Sequence, residues 1–158
     1  MDAHGRSGSS AQLSVFDAQA IVALLVGEPA AAPVAAMLRD PQDRSVASAV
    51  NVSEVVDVLV RLRRRTFVEV AEKLDWLAAG GLEVLPVDES IGRMAGRIRA
   101  DHYDRGRRPI SLADCVALAT ARTLHEPLAT SDPVLIEVAR AEGTDVAGLP
   151  DSAGRLPD

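Results

Sequence analysis

Four short apolar runs in this chain are each followed at once by a stretch with helical periodicity. That alternation limits the fold more than any other feature. Leu13–Phe16 leads into a predicted helix over Ala18–Val26, closed by Gly27 and Pro29. Arg44–Val50 leads into a helix reaching about Arg65, where Val52, Val55, Val56, Leu59 and Leu62 follow the helical period. Leu82–Val87 precedes a helix capped by Asp88 or Ser90 and running to about Tyr103. Leu128–Thr130 precedes a helix with Pro133 at its first position and Gly143 at its end. Further helices are expected over Ala30–Leu38, over Thr66–Ala79 and after Ser111, with a last strand over Thr144–Ala147. Strand–helix alternation of this kind predicts an α/β fold of three layers, with a parallel sheet of four or five strands flanked by helices.

The second constraint is where the acids stand. Asp17, Glu54, Asp114 and Asp132 each lie in or just before the first turn of a predicted helix. Each has a structural explanation of its own. Asp17 and Asp132 read as N-caps. Asn51 with Glu54, and Ser111 with Asp114, read as capping boxes. Taken together they imply more, because an open α/β sheet places such positions on one edge, where ligands bind. A pocket of like charges is costly unless a cation fills it. All-oxygen ligands without histidine or cysteine suit Mg²⁺ or Mn²⁺. The chemistry expected of such a site is hydrolysis of a phosphate ester by metal-activated water held among the four carboxylates. Thr130 is a further candidate there, for a phosphate or a bound water.

At 158 residues the chain suits one core. We expect a flexible extension over residues 1–12, a domain over 13–149 and a flexible tail over 150–158. Nothing in the sequence reads as a signal peptide or a bilayer span. The single cysteine, Cys115, excludes an internal disulfide and suits a reducing cytoplasm. A net charge of −6 excludes a generic nucleic-acid binder. The basic residues are nevertheless clustered, in Arg61–Arg65 and in Arg105–Arg108, and all but Lys73 are arginines, which suit phosphate contact. Arg107 and Arg108 precede the helix of Asp114 and are candidate phosphate contacts. Phe67 and Trp76 read as core or dimer contacts rather than base-stacking platforms.

Four segments together resemble the PIN-domain ribonucleases, in particular the VapC toxins of bacterial toxin–antitoxin pairs. They are Val15-Phe16-Asp17-Ala18, Asn51-Val52-Ser53-Glu54-Val55, Ile110 to Ala119 around Asp114, and Leu128-Ala129-Thr130-Ser131-Asp132. Gln19 departs from the small hydroxyl residue common in that family, and Leu135 from an aromatic one. The resemblance implies a PIN-like fold, Mg²⁺- or Mn²⁺-dependent endonucleolytic cleavage of RNA, a homodimer, and inhibition by a VapB-like antitoxin. Two other readings compete with it. A phospho-accepting domain would need a lysine near a late strand, and Lys73 lies in a mid-chain helix. An inactive PIN-like module that binds RNA or protein would not need four acids.

Overall fold

A computed structural model describes residues 13–157; the expected extension over 1–12 lies outside the described residues. Five parallel strands form one sheet in the order β3-β2-β1-β4-β5. They are β1 (Leu13–Phe16), β2 (Arg44–Ser48), β3 (Leu82–Leu85), β4 (Leu128–Thr130) and β5 (Val146–Gly148). The helices are α1 (Ala18–Val26), α2 (Ala31–Arg39), α3 (Ala49–Asp57), α4 (Phe67–Ala79), α5 (Glu89–His102), α6 (Leu112–Leu124) and α7 (Pro133–Ala141). Two apolar cores sandwich the sheet. Alternate residues of each strand supply them, as the two-residue period of a strand requires. Val15, Val46 and Leu128 face α5, α6 and α7. Phe16, Ala47 and Ala129 face α1 to α4. The expected three-layer α/β fold is therefore the observed one.

Strand order places the site. The chain winds outward from β1 through β2 to β3, then returns to pair β4 with β1 on the other side. The order reverses between β1 and β4, the point at whose carboxyl end an open α/β sheet binds its ligands. Asp17 follows β1 and Asp132 follows β4, so both acids stand at that point.

Three local expectations change. The second strand ends at Ser48, not Val50, because the Ser48 hydroxyl accepts from the Asn51 amide and caps α3. Asn51 is thus inside the helix, and the Asn51–Glu54 capping box does not form; Glu54 sits in the second turn. The helix after it is not uniform to Arg65. It passes into a π-helical turn, Val58–Leu62, where the Arg63 amide donates to the Val58 carbonyl, before Arg64 adopts a left-handed φ of 54°. The tail expected to be flexible folds back instead. Its Asp151 amide donates to the Arg155 carbonyl, and Pro157 packs on Gly148 so closely that a Cβ there would lie 2.6 Å from the proline ring.

Candidate active site

Helices α1, α6 and α7 are each capped at their start by a polar side chain. Asp17 caps α1 by accepting from the Ala20 amide at 2.7 Å. Ser111 and Asp114 form the expected capping box on α6, with bonds of 2.9 and 3.0 Å. Asp132 caps α7 through one oxygen, which accepts from the Val134 and Leu135 amides. Each aspartate therefore spends part of its accepting capacity on a helix end, where the dipole favours a negative charge.

These caps are tied to one another. The Thr130 hydroxyl donates to the other oxygen of Asp17 and accepts from the Asp132 amide at 3.0 Å. Thr130 is fully buried as the last residue of β4, so it fixes the two flanking acids relative to each other. Across the site, the Ser48 hydroxyl donates to the Asn51 side-chain Oδ1, and the Asn51 side-chain Nδ2 donates to the Ala113 backbone carbonyl at 3.1 Å. Asn51 thus fastens α3, which carries Glu54, to the first turn of α6, which carries Asp114. The sequence reading took Asn51 for a cap and missed this positioning role. Its signal was a second cap candidate, Ser48, three residues earlier.

Burial and neighbouring acids raise three of these carboxyls. Burial, partly offset by the bonds from Thr130 and Ala20, pushes Asp17 up to about 7, and Asp114 and Asp132 push it further. Asp114 is raised mainly by burial and also by Asp132. Burial raises Glu54 too, with Asp114 and Asp57 adding to it.

A divalent metal fits these donors in kind. They are carboxylates with no competing thiol or imidazole. Glu54 holds one oxygen buried with no hydrogen-bond partner, which costs free energy unless something positive reaches it. Among the described residues, no three acids are gathered tightly enough to hold a metal ion as they stand. The site is therefore a set of mutually repelling carboxylates at electrostatic range rather than a closed ligand shell.

The basic loop lies differently from the sequence expectation. Asp104 and Arg108 close it by paired backbone bonds, and the Asp104 carboxylate accepts from the Gly106 and Arg107 amides. Arg107 is exposed. Arg108 is engaged elsewhere, with one nitrogen 3.4 Å from His102 Nδ1 and another 3.9 Å from the Glu137 carboxylate. The Arg61–Arg65 cluster splits: Arg61 pairs with Asp57, and Arg63 reaches Glu28 at 2.8 Å. Phe67 and Trp76 are not core residues; they are 64% and 70% exposed. Among the described residues, no single helix is long and apolar enough to cross a bilayer.

The PIN-domain family model matches residues 14–141, which takes in all four acids and Thr130. The chain belongs to the PIN-domain family. No curated protein matches it. Among solved structures, it is similar to VapBC2 from Rickettsia felis, bound to a DNA fragment from its promoter, with a TM-score of 0.63 and 13% identity over 85% of this chain and 97% of that one. It is also similar to FitAcB from Neisseria gonorrhoeae, with a TM-score of 0.59 and 24% identity over 84% and 95%. A third is the sarcin-ricin-loop-cleaving toxin VapC20 from Mycobacterium tuberculosis, with a TM-score of 0.57 and 15% identity over 72% and 84%. At these identities the likeness is one of fold.

Proposed function

We propose that this PIN-domain protein is a Mg²⁺- or Mn²⁺-dependent endoribonuclease and the toxin of a type II toxin–antitoxin pair. The observation that carries the reading is the grouping of Asp17, Glu54, Asp114 and Asp132 at the carboxyl edge of the sheet around β1 and β4, where burial and neighbouring acids raise Asp17, Glu54 and Asp114. In that reading Asp17, Asp114 and Asp132 hold the metal, directly or through water, and Glu54 is a fourth ligand or orients the attacking water. When bound, the metal would activate water and neutralise charge on the phosphate. Thr130 holds Asp17 and the Asp132 backbone in register, so its role is to position ligands. Asn51 does the same for Asp114 through α6. Exposed Arg107 would meet the RNA backbone, since a pocket of acids repels a polyanion and needs positive charge nearby. Arg108, held between α5 and α7, would add to the local field rather than contact RNA freely.

The toxin assignment rests on the fold shared with VapC20 and with toxins solved in VapBC and FitAcB complexes. We expect a VapB-like antitoxin, a homodimer and a cytoplasmic site of action. The apolar surface at Phe67, Val68 and Trp76 is available for one of these protein contacts. The test is cleavage of RNA by pure protein with Mg²⁺, with excess EDTA, and by Asp114→Asn. Cleavage that needs both metal and Asp114 supports the reading.

A further inference from the structure

Three arginines among the described residues are partly buried: Arg99, Arg108 and Arg122. Arg108 and Arg122 have acid or histidine partners. Arg99 has no hydrogen bond or ion pair among the described residues, and its Nε is buried without a partner. That buried Nε is an unmet donor, while the rest of the side chain is only partly buried. Its guanidinium carbon lies over the Tyr103 ring, 4.4 Å from the centroid. Tyr103 is 44% exposed and Leu112 beside it is 56% exposed. With Gly96 and Ala100, whose small side chains leave the surface open, these residues line one shallow depression. The depression lies at the end of α6 that also carries Asp114. Leu112 is the first residue of α6 and Asp114 the third, and the Arg99 charge reaches Cys115, the next residue.

We propose that Arg99, Tyr103 and Leu112 form a binding subsite for one unpaired nucleotide of the RNA substrate, at the N-terminal end of α6 that also carries Asp114. The proposal rests on the endoribonuclease reading and adds to it where the strand is held. The base stacks on the exposed Tyr103 ring and against Leu112, a contact that any base can make. The adjoining phosphate meets the unpaired hydrogen-bond donors of Arg99, whose fork fits phosphate oxygens. Charge favours RNA over a second copy of the chain here. A two-fold contact through this face would bring a second unpaired Arg99 towards the first, whereas a polynucleotide supplies the anion that is missing.

The test uses a short single-stranded RNA with 2′-O-methyl groups, which resists cleavage, and the same RNA with its bases removed. Tyr103→Ala should weaken binding of the base-bearing probe by about tenfold or more. It should leave the abasic probe bound as by the parent. Tyr103→Phe should bind like the parent, because the ring is kept. Arg99→Gln should weaken both probes and flatten the salt dependence by a slope of about 0.7, the effect of one lost phosphate contact on a single strand. Equal loss of both probes in Tyr103→Ala, or no loss in either variant, would overturn the subsite. So would a Tyr103→Ala protein that sediments as a smaller species while keeping full RNA affinity, since the face would then be a protein interface. If Tyr103→Ala melts early, the Phe and Gln variants still decide. A parent that neither binds nor cuts RNA overturns the subsite together with the nuclease reading. A parent that cuts RNA while these variants bind normally overturns the subsite alone.

Discussion

Asp17→Asn should stabilise the metal-free protein, and only at neutral pH and above. Asp17 is 1% exposed, and its folded value of about 7 lies above the ordinary 3.8. The sign follows from linkage. Near or below pH 4 the carboxyl is largely neutral in the folded chain and increasingly so in the unfolded one, so the group has little effect. As pH rises towards 7 the unfolded chain releases a proton that the folded chain keeps, and stability falls. Above about 7 the penalty is complete. From 3.8 to about 7, at about 1.4 kcal/mol per pH unit, it is on the order of 4 kcal/mol. Asparagine removes the charge yet still caps α1, since its carbonyl oxygen can accept from the Ala20 amide. Its amide can donate to Thr130, although the Thr130 hydroxyl then loses its own acceptor, which costs about 1 kcal/mol. The net gain is about 3 kcal/mol, or roughly 5–10 °C in melting temperature for a chain of this size. Melts in EDTA should show that gain at about pH 8 and a loss of about 1 kcal/mol at about pH 4, where only the Thr130 cost remains. Mg²⁺ should then raise the parent's melting temperature and not the variant's. No gain at pH 8, or the same gain at both pH values, would refute the burial-and-repulsion account of the site.

Thr130→Val should lower both stability and activity, because it leaves the Asp132 amide buried without a partner and removes the donor to Asp17; we expect a loss of about 1–3 kcal/mol in denaturant titrations. Asn51→Ala should reduce cleavage in the presence of metal by more than its modest effect on the melt, since it frees α6 from α3; equal activity per folded molecule would refute the positioning role. Glu142→Gln should destabilise the α5–α6–α7 side by about 1–3 kcal/mol, because Glu142 gathers Arg97, His102 and Arg122. Arg97 and His102 hold Glu142 down at about 2, so its contribution is present above pH 4.5 and is lost as pH falls through about 2; urea titrations down that range check it.

Much of the site could be read in the sequence because helix caps are local. Asp17, Asp114 and Asp132 cap helices within three residues of themselves, and the rules for caps need no tertiary information. The strand order was less accessible, but the alternation of elements already implied a parallel sheet. Errors arose where two local signals competed. Val46 to Val50 could continue a strand, and Ser48 and Asn51 are both good caps; Ser48 ends the strand because its hydroxyl reaches the Asn51 amide. The features that remained hidden join distant residues. Glu142 meets His102 across 40 positions, and Asn51 meets Ala113 across 62. Arg108 looked free in a basic run until His102 and Glu137 were placed beside it. Arg99 had no motif at all, and only its missing partner singles it out.

Cleavage of a defined RNA by pure protein, followed at single-nucleotide resolution, addresses the acid cluster itself. Cuts should appear with Mg²⁺ or Mn²⁺, vanish in excess EDTA, and vanish in Asp114→Asn while its metal-free melt stays equal to the parent's or rises. Undiminished cutting in EDTA, or by a folded Asp114→Asn protein, would contradict the assignment of these four carboxylates to metal-dependent hydrolysis.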